Sequence, residues 1–163
     1  MVITRLLNDG FPRSACRGFT LIEALLVIVI LAILAAVGVP NLSTFILSQR
    51  LKSASFDIFS TLVYARSEAI TRNGTVNITP VGGNWSGGWT VTEAASGATL
   101  RSQGALNGIS MTGPASVSYA GMGRLNAAVT PFSLTATGVN DANSRCVSID
   151  LSGRPVTKQG ACP

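Results

Sequence analysis

Between residues 19 and 39 the chain is apolar, and one position, Glu23, carries a charge. At about 1.5 Å rise per residue such a run makes a helix of roughly 30 Å, enough to cross the hydrocarbon core of a bilayer. A transmembrane helix is therefore expected over residues 19–40. Beyond Pro40 the pattern changes. Leu51, Ala54, Ile58, Leu62, Ala65 and Ala69 recur at spacings of three and four, while Arg50, Lys52, Asp57, Arg66 and Arg72 largely avoid that stripe. This predicts an amphipathic helix over residues 41–73 with one buried face. Pro40 lacks a backbone donor, and Gly38 weakens the helix just before it, so a kink is expected there. Asn73-Gly74 reads as the helix stop.

From residue 74 the period shortens. Candidate strands fall at 75–79, 88–92, 98–101, 109–112, 117–120, 132–135 and 145–151, separated by turn residues. Short strands that follow an amphipathic helix supply the surface its apolar stripe needs. The predicted fold class is α+β: a long N-terminal helix, transmembrane in its first half, with a C-terminal antiparallel β-sheet domain packed on its second half. Residues 74–163 form that β-rich domain.

Composition narrows the chemistry. The chain has 163 residues, a net charge of +5 and no histidine. The commonest general base and the commonest metal ligand are thus absent. No paired carboxylates and no Ser/His/Asp or Cys/His arrangement stand out. VGGNWSGG (81–88) is hairpin material rather than a phosphate cradle, since no lysine follows and no helix opens there. No enzymatic activity, cofactor or metal is expected. Trp85 and Trp89 read as core and hairpin packing rather than a ligand-stacking platform, and Glu68 as the partner of Arg72 in an exposed helix pair.

The N-terminal charges and the cysteines bear on topology. Arg5, Arg13 and Arg17 against Asp9 should hold the N-terminus in the cytoplasm and place the rest beyond the inner membrane, in the periplasm. A plain signal anchor fits this, and so does a secretory signal peptide with small residues at Ala36-Val37-Gly38. Neither accounts for Glu23, because an ionised carboxylate in hydrocarbon costs several kcal/mol unless it is paired or near the interface. Cys146 and Cys162 would close a loop of about 16 residues, worth about 3 kcal/mol as a disulfide in an oxidising compartment. In the cytosol they would remain thiols. Cys16 lies before the apolar run.

The string Arg17-Gly18-Phe19-Thr20-Leu21-Ile22-Glu23, followed by a long apolar run to Val39-Pro40, resembles the type III signal of type IV pilins and type II secretion pseudopilins. The resemblance implies that residues 1–18 are a leader removed by a prepilin peptidase, which cuts between Gly18 and Phe19 and N-methylates Phe19. It also implies that Glu23 pairs with the new amine of an adjacent subunit and guides assembly. Physically, a carboxylate four residues from a fresh positive amine neutralises it once both are in low dielectric.

The text LKSASFDIFSTLVYARSEAITRNGTVNIT, then NWSGGWTV, then RCVSIDLSGRPVTKQGAC, is similar to the FimT/FimU minor pilins and the GspH pseudopilins. Several of those relatives carry a cysteine just after the first strand, where this chain has Thr79-Pro80; the resemblance then implies that Cys146 and Cys162 pair. In FimT-type pilins a C-terminal Gly-Arg-x-Arg stretch contacts DNA. Here Gly153 and Arg154 match, Val156 replaces the second arginine, and Lys158 follows. Arg154 and Lys158, with Arg145 a third, become candidate contacts to double-stranded DNA; the alternative is a solvated turn whose charges aid solubility. The function so implied is that of a minor pilin that primes or caps pilus assembly, with other minor and major pilins and the inner membrane as partners. The alternatives are a pilus-tip DNA receptor in transformation and a pseudopilin of a type II secretion system.

Overall fold

The computed structural model describes residues 19 to 162, apart from the side chains at 37 and 39–41. The expected leader, Gly18 included, lies outside the described residues. One helix, α1, runs from Leu21 to Arg72. Eight strands follow: β1 (Val76–Pro80), β2 (Trp89–Glu93), β3 (Thr99–Gln103), β4 (Ser110–Thr112), β5 (Val117–Tyr119), β6 (Phe132–Thr135), β7 (Arg145–Ile149) and β8 (Pro155–Gln159). The chain divides into two compact units, Met1–Val39 and Pro40–Pro163.

In the first unit α1 begins on a cap. The Glu23 backbone N–H donates to the Thr20 hydroxyl at 3.3 Å, and the Ala24 N–H to the Thr20 carbonyl at 3.2 Å. Thr20 is thus the N-cap, and one of the helix's otherwise unpaired first donors is satisfied. Leu21, Ile22, Leu25, Ile28, Ile33 and Leu34 are all exposed, so the segment is apolar on every side. Described apolar side chains extend from Leu21 to Ala36, roughly 24 Å of helix. Among the described residues no helix is long and apolar enough to cross a membrane; the expected span 19–40 continues over side chains outside that description.

In the second unit the stripe read from the sequence is the buried one. Leu51, Ile58, Leu62, Ala65 and Ala69 are fully buried, and Ala54 nearly so. Helical geometry continues through Pro40 and ends at Arg72. The stop is a Schellman turn: the Gly74 N–H reaches the Ala69 carbonyl at 3.1 Å and the Asn73 N–H reaches Ile70 at 3.2 Å. Asn73 takes the left-handed conformation, at φ 49°.

The single sheet expected from the sequence is two four-stranded antiparallel sheets, ordered β3-β2-β1-β5 and β4-β6-β7-β8. Both contribute to one core with the helix stripe: Val76, Ile78, Val91 and Tyr119 from the first, Phe132, Leu134 and Val147 from the second. Strand β8 was not anticipated. Its residues are mostly exposed, so it lacks the alternation that marks a half-buried strand.

The stretch 81–88 folds as two 3-10 turns, Val81–Gly83 and Trp85–Gly87, joining β1 to β2. Both tryptophans are buried. The Trp85 ring meets Phe132 edge-on, with centroids 4.8 Å apart, and its N–H donates to the Pro114 carbonyl at 2.7 Å. Their faces and donors are taken up by the core, which leaves no stacking platform.

Candidate functional site

The candidate residues fall into two groups, one in each unit. At the start of α1, Phe19 is exposed and lies one residue before the Thr20 cap, while Glu23 occupies the first turn with its side chain exposed. A carboxylate there complements the positive end of the helix dipole. Thr20-Leu21-Ile22-Glu23 is also the Thr-x-x-Glu pattern of a capping box. That signal is legible in the sequence, although the apolar periodicity alone does not report it. Thr20 therefore fixes where the helix starts, and so where Glu23 sits relative to Phe19.

The second group surrounds the β7–β8 hairpin. Cys146 and Cys162 form a disulfide with Cα atoms 5.1 Å apart. Cys146 is buried, and Cys162 packs over the Phe132 carbonyl. The Ser-Gly-Arg stretch is the hairpin's turn. The Asp150 carboxylate accepts from the Ser152 hydroxyl at 2.5 Å and from the Arg154 backbone N–H at 3.0 Å. These bonds, the Ser152 hydroxyl first, hold the Asp150 carboxyl below its ordinary 3.8.

Gly153 sits at φ 82°, and a Cβ there would lie 2.2 Å from the Gly123 carbonyl oxygen. Only glycine fits. The turn is anchored from beneath by Tyr119, whose hydroxyl donates to the Gly153 carbonyl at 3.3 Å; burial pushes that phenol well above its usual range. Arg66 donates from Nε to the Gly123 carbonyl at 2.9 Å, tying α1 to the loop against which the turn packs. The Arg154 side chain is left exposed.

Register decides which cations share a surface. Cys146 pairs with Lys158 and Arg145 with Gln159. Directly paired residues point to the same side and successive residues to opposite sides. Lys158 therefore faces with the disulfide, and Arg145 faces away from it, toward α1. The structure leaves Arg154 and Lys158 exposed on the hairpin but does not bring Arg145 to them.

Elsewhere, Arg72 pairs with Glu68 at 2.8 Å, as the spacing predicted, and also with Glu93 at 3.4 Å. Among the described residues no group of three or more His, Cys, Asp or Glu side chains is placed to hold a metal ion.

An apolar helical segment with an acidic first turn in one unit, and a disulfide-closed β domain packed on a helix in the other, are the parts of a pilin-type subunit. Residues 13–39 match the prokaryotic N-terminal methylation motif, and residues 54–153 match the family described as type II transport protein GspH. The chain belongs to the GspH family. Two crystal structures of the type IV minor pilin FimU from Pseudomonas aeruginosa (strain PAO1), in space groups P21 and P65, share the fold. The first has a TM-score of 0.61 and 24% identity over 70% of this chain and 92% of that one. The second has a TM-score of 0.57 and 24% identity over 66% and 91%. No curated protein matches the chain.

Proposed function

We propose that this protein is a minor pilin that helps prime or cap a type IV pilus, with a structural rather than a catalytic role. The observation that carries the reading is the joining of a methylation motif, with Glu23 in the first helical turn, to a GspH-type β domain on the same helix. In this reading a prepilin peptidase cuts between Gly18 and Phe19 and methylates Phe19. The mature chain is held in the inner membrane by the apolar start of α1, with its β domain in the periplasm. Glu23 then meets the amine of a neighbouring subunit, and the exposed apolar surface of Leu21, Leu25 and Ile28 is covered by lipid or by other helices.

The test is co-purification of the chain with the other pilin-type subunits of its source cell, comparing wild type with Glu23→Ala. Reduced incorporation of the variant is expected. Unchanged incorporation would remove the basis for the assembly role of Glu23.

A second reading, contact with DNA, is favoured by one feature: Arg154 and Lys158 are both exposed on a hairpin closed by a disulfide. The hairpin supplies two cations for phosphate.

A further inference from the structure

Arg145 has an unusual situation. Its Nε is buried and has no hydrogen-bond partner. Buried polar groups in folded proteins are nearly all paired, and a charged donor left unmet is costly. The side chain lines an open groove of about 790 Å3 between α1 and the β7–β8 hairpin. Gln49, Lys52, Phe56, Asp57 and Phe59 form the helix wall, and Arg145 and Thr157 lie on the strand side. Asp57 is present, yet the ion pairs among the described residues join Arg72 to Glu68 and Glu93. The groove thus holds two cations, one carboxylate and an unsatisfied guanidinium donor.

One side chain of the groove's lining, Phe56, belongs to an apolar row that continues along the helix beyond the groove. Phe56 is 67% exposed. Leu42, Phe56, Val63 and Ile70 are all exposed and fall on one row of the helix with Gln49, one every seven residues. That row lies away from the buried stripe. With Phe45 and Phe59 at intervening positions, the row offers a partial heptad face against which a second helix packs. Phe45 and Ile46 flank the same row and line a neighbouring groove that shares Gln49, Ser53 and Asp57. A nucleic-acid backbone fits poorly here, because Asp57 and Phe56 stand beside the cations and Lys158 is on the other face of the hairpin.

We propose that this groove seats an amphipathic helix of another filament subunit, anchored by a carboxylate on that helix which accepts from Arg145. The inference rests on the reading that the chain assembles with other pilin-type subunits. The partner's carboxylate satisfies the Arg145 donor, and its apolar flank covers Phe56 and the row on either side. Arg145 thereby selects a partner with an acidic residue at one register.

The test uses the full chain in membranes, co-expressed with the other methylation-motif subunits of its source cell. A photo-crosslinking residue, p-benzoylphenylalanine, replaces Phe56, with the same residue at Val156 on the far face of the hairpin as a control. Crosslinks from position 56 are expected on a partner's helix, within one turn of an Asp or Glu. Arg145→Gln should lower their yield roughly tenfold or more, as loss of one member of a buried charge pair does. Arg145→Glu combined with reversal of the partner's carboxylate to Lys should restore it. A cooperative urea transition with the wild-type slope, measured for each variant in detergent, establishes that the variants are folded.

Crosslinks to a β-strand or to DNA, or a yield that Arg145→Gln leaves unchanged, would overturn the proposal. If Glu23→Ala abolishes co-purification while Arg145→Gln does nothing, the groove assignment fails and the assembly reading stands. If wild type co-purifies with no pilin-type subunit, both fail.

Discussion

The indole N–H of Trp89 donates to the hydroxyl of Thr61 at 3.1 Å, a bond that joins β2 to the buried face of α1. Both residues are essentially inaccessible. The Thr61 hydroxyl in turn donates to the Asp57 carbonyl one turn earlier, at 2.8 Å. A tryptophan is tolerated in this core because its polar atom has a partner on the helix. Thr61→Val keeps the shape but strands the indole N–H. It should cost about 1–3 kcal/mol, read as a lowered urea midpoint with unchanged slope for the full chain in detergent. A neutral result would mean that the indole finds another acceptor.

The disulfide fastens an edge strand that packing alone holds weakly. Strand β8 pairs on one side only, with β7, and most of its residues are exposed. Cys162 lies three residues beyond it and ties the end of the chain back to Cys146. Closing that loop should contribute about 3 kcal/mol. Cys162→Ser should lower stability by about that amount, and hydrogen exchange should rise first at 155–159. Uniform exchange across both sheets would show instead that β8 is held by its ladder.

Gly153 should tolerate no side chain. The left-handed backbone and the Gly123 carbonyl both oppose a Cβ, and the Tyr119 ring lies 2.9 Å from where it would sit. Gly153→Ala should therefore cost at least about 2 kcal/mol. Gly97→Ala is the control, since it carries a similar φ of 71° with open space around it. The smaller loss expected there isolates the steric part of the Gly153 effect.

Much of this architecture was legible because it is local. The stripe from Leu51 to Ala69 is a single period repeated down one helix, and burial follows it residue by residue. Phe132–Thr135 was read with its correct bounds. The division into two sheets was not legible. It depends on β1 pairing with β5, and β4 with β6, across long stretches of intervening chain. No periodicity reports such a pairing. PVTKQ escaped notice because it opens on proline and buries little; its partner strand makes it a strand. The three basic candidates looked equivalent in the sequence, since a side chain's face is fixed by register and not by proximity along the chain. The Arg145 groove could not be anticipated for the same reason: its two walls are separated by most of the β domain.

Acid should weaken the fold through two surface carboxylates, Asp150, which is exposed, and Glu93, which is half-buried. Asp150 is held below 3.8 by the Ser152 hydroxyl and the Arg154 N–H; Glu93 is held below 4.5 first by the Ser96 hydroxyl and then by Arg72. A carboxylate with a depressed folded pKa contributes stability that is present above its unfolded value. That contribution is lost as pH falls through the folded value. The urea midpoint should be flat down to about pH 5 and decline below about pH 4. Glu93→Gln combined with Asp150→Asn should flatten part of that decline. An unchanged decline would assign acid sensitivity to other groups.

In the second reading, contact with DNA at the β7–β8 hairpin draws on two cations. Arg154 leaves the turn and Lys158 stands on β8, both exposed, whereas Arg145 faces α1. Each phosphate neutralised adds about −0.9 to the slope of log K against log salt, so two contacts give about −1.8. Titrating the full chain in detergent with duplex DNA across salt should return a slope of that size. Arg154→Ala and Lys158→Ala should each remove about half of it, while Arg145→Gln leaves it unchanged. A slope near −2.7 that Arg145→Gln reduces would require Arg145 to reach the same phosphates, and so a rearranged hairpin.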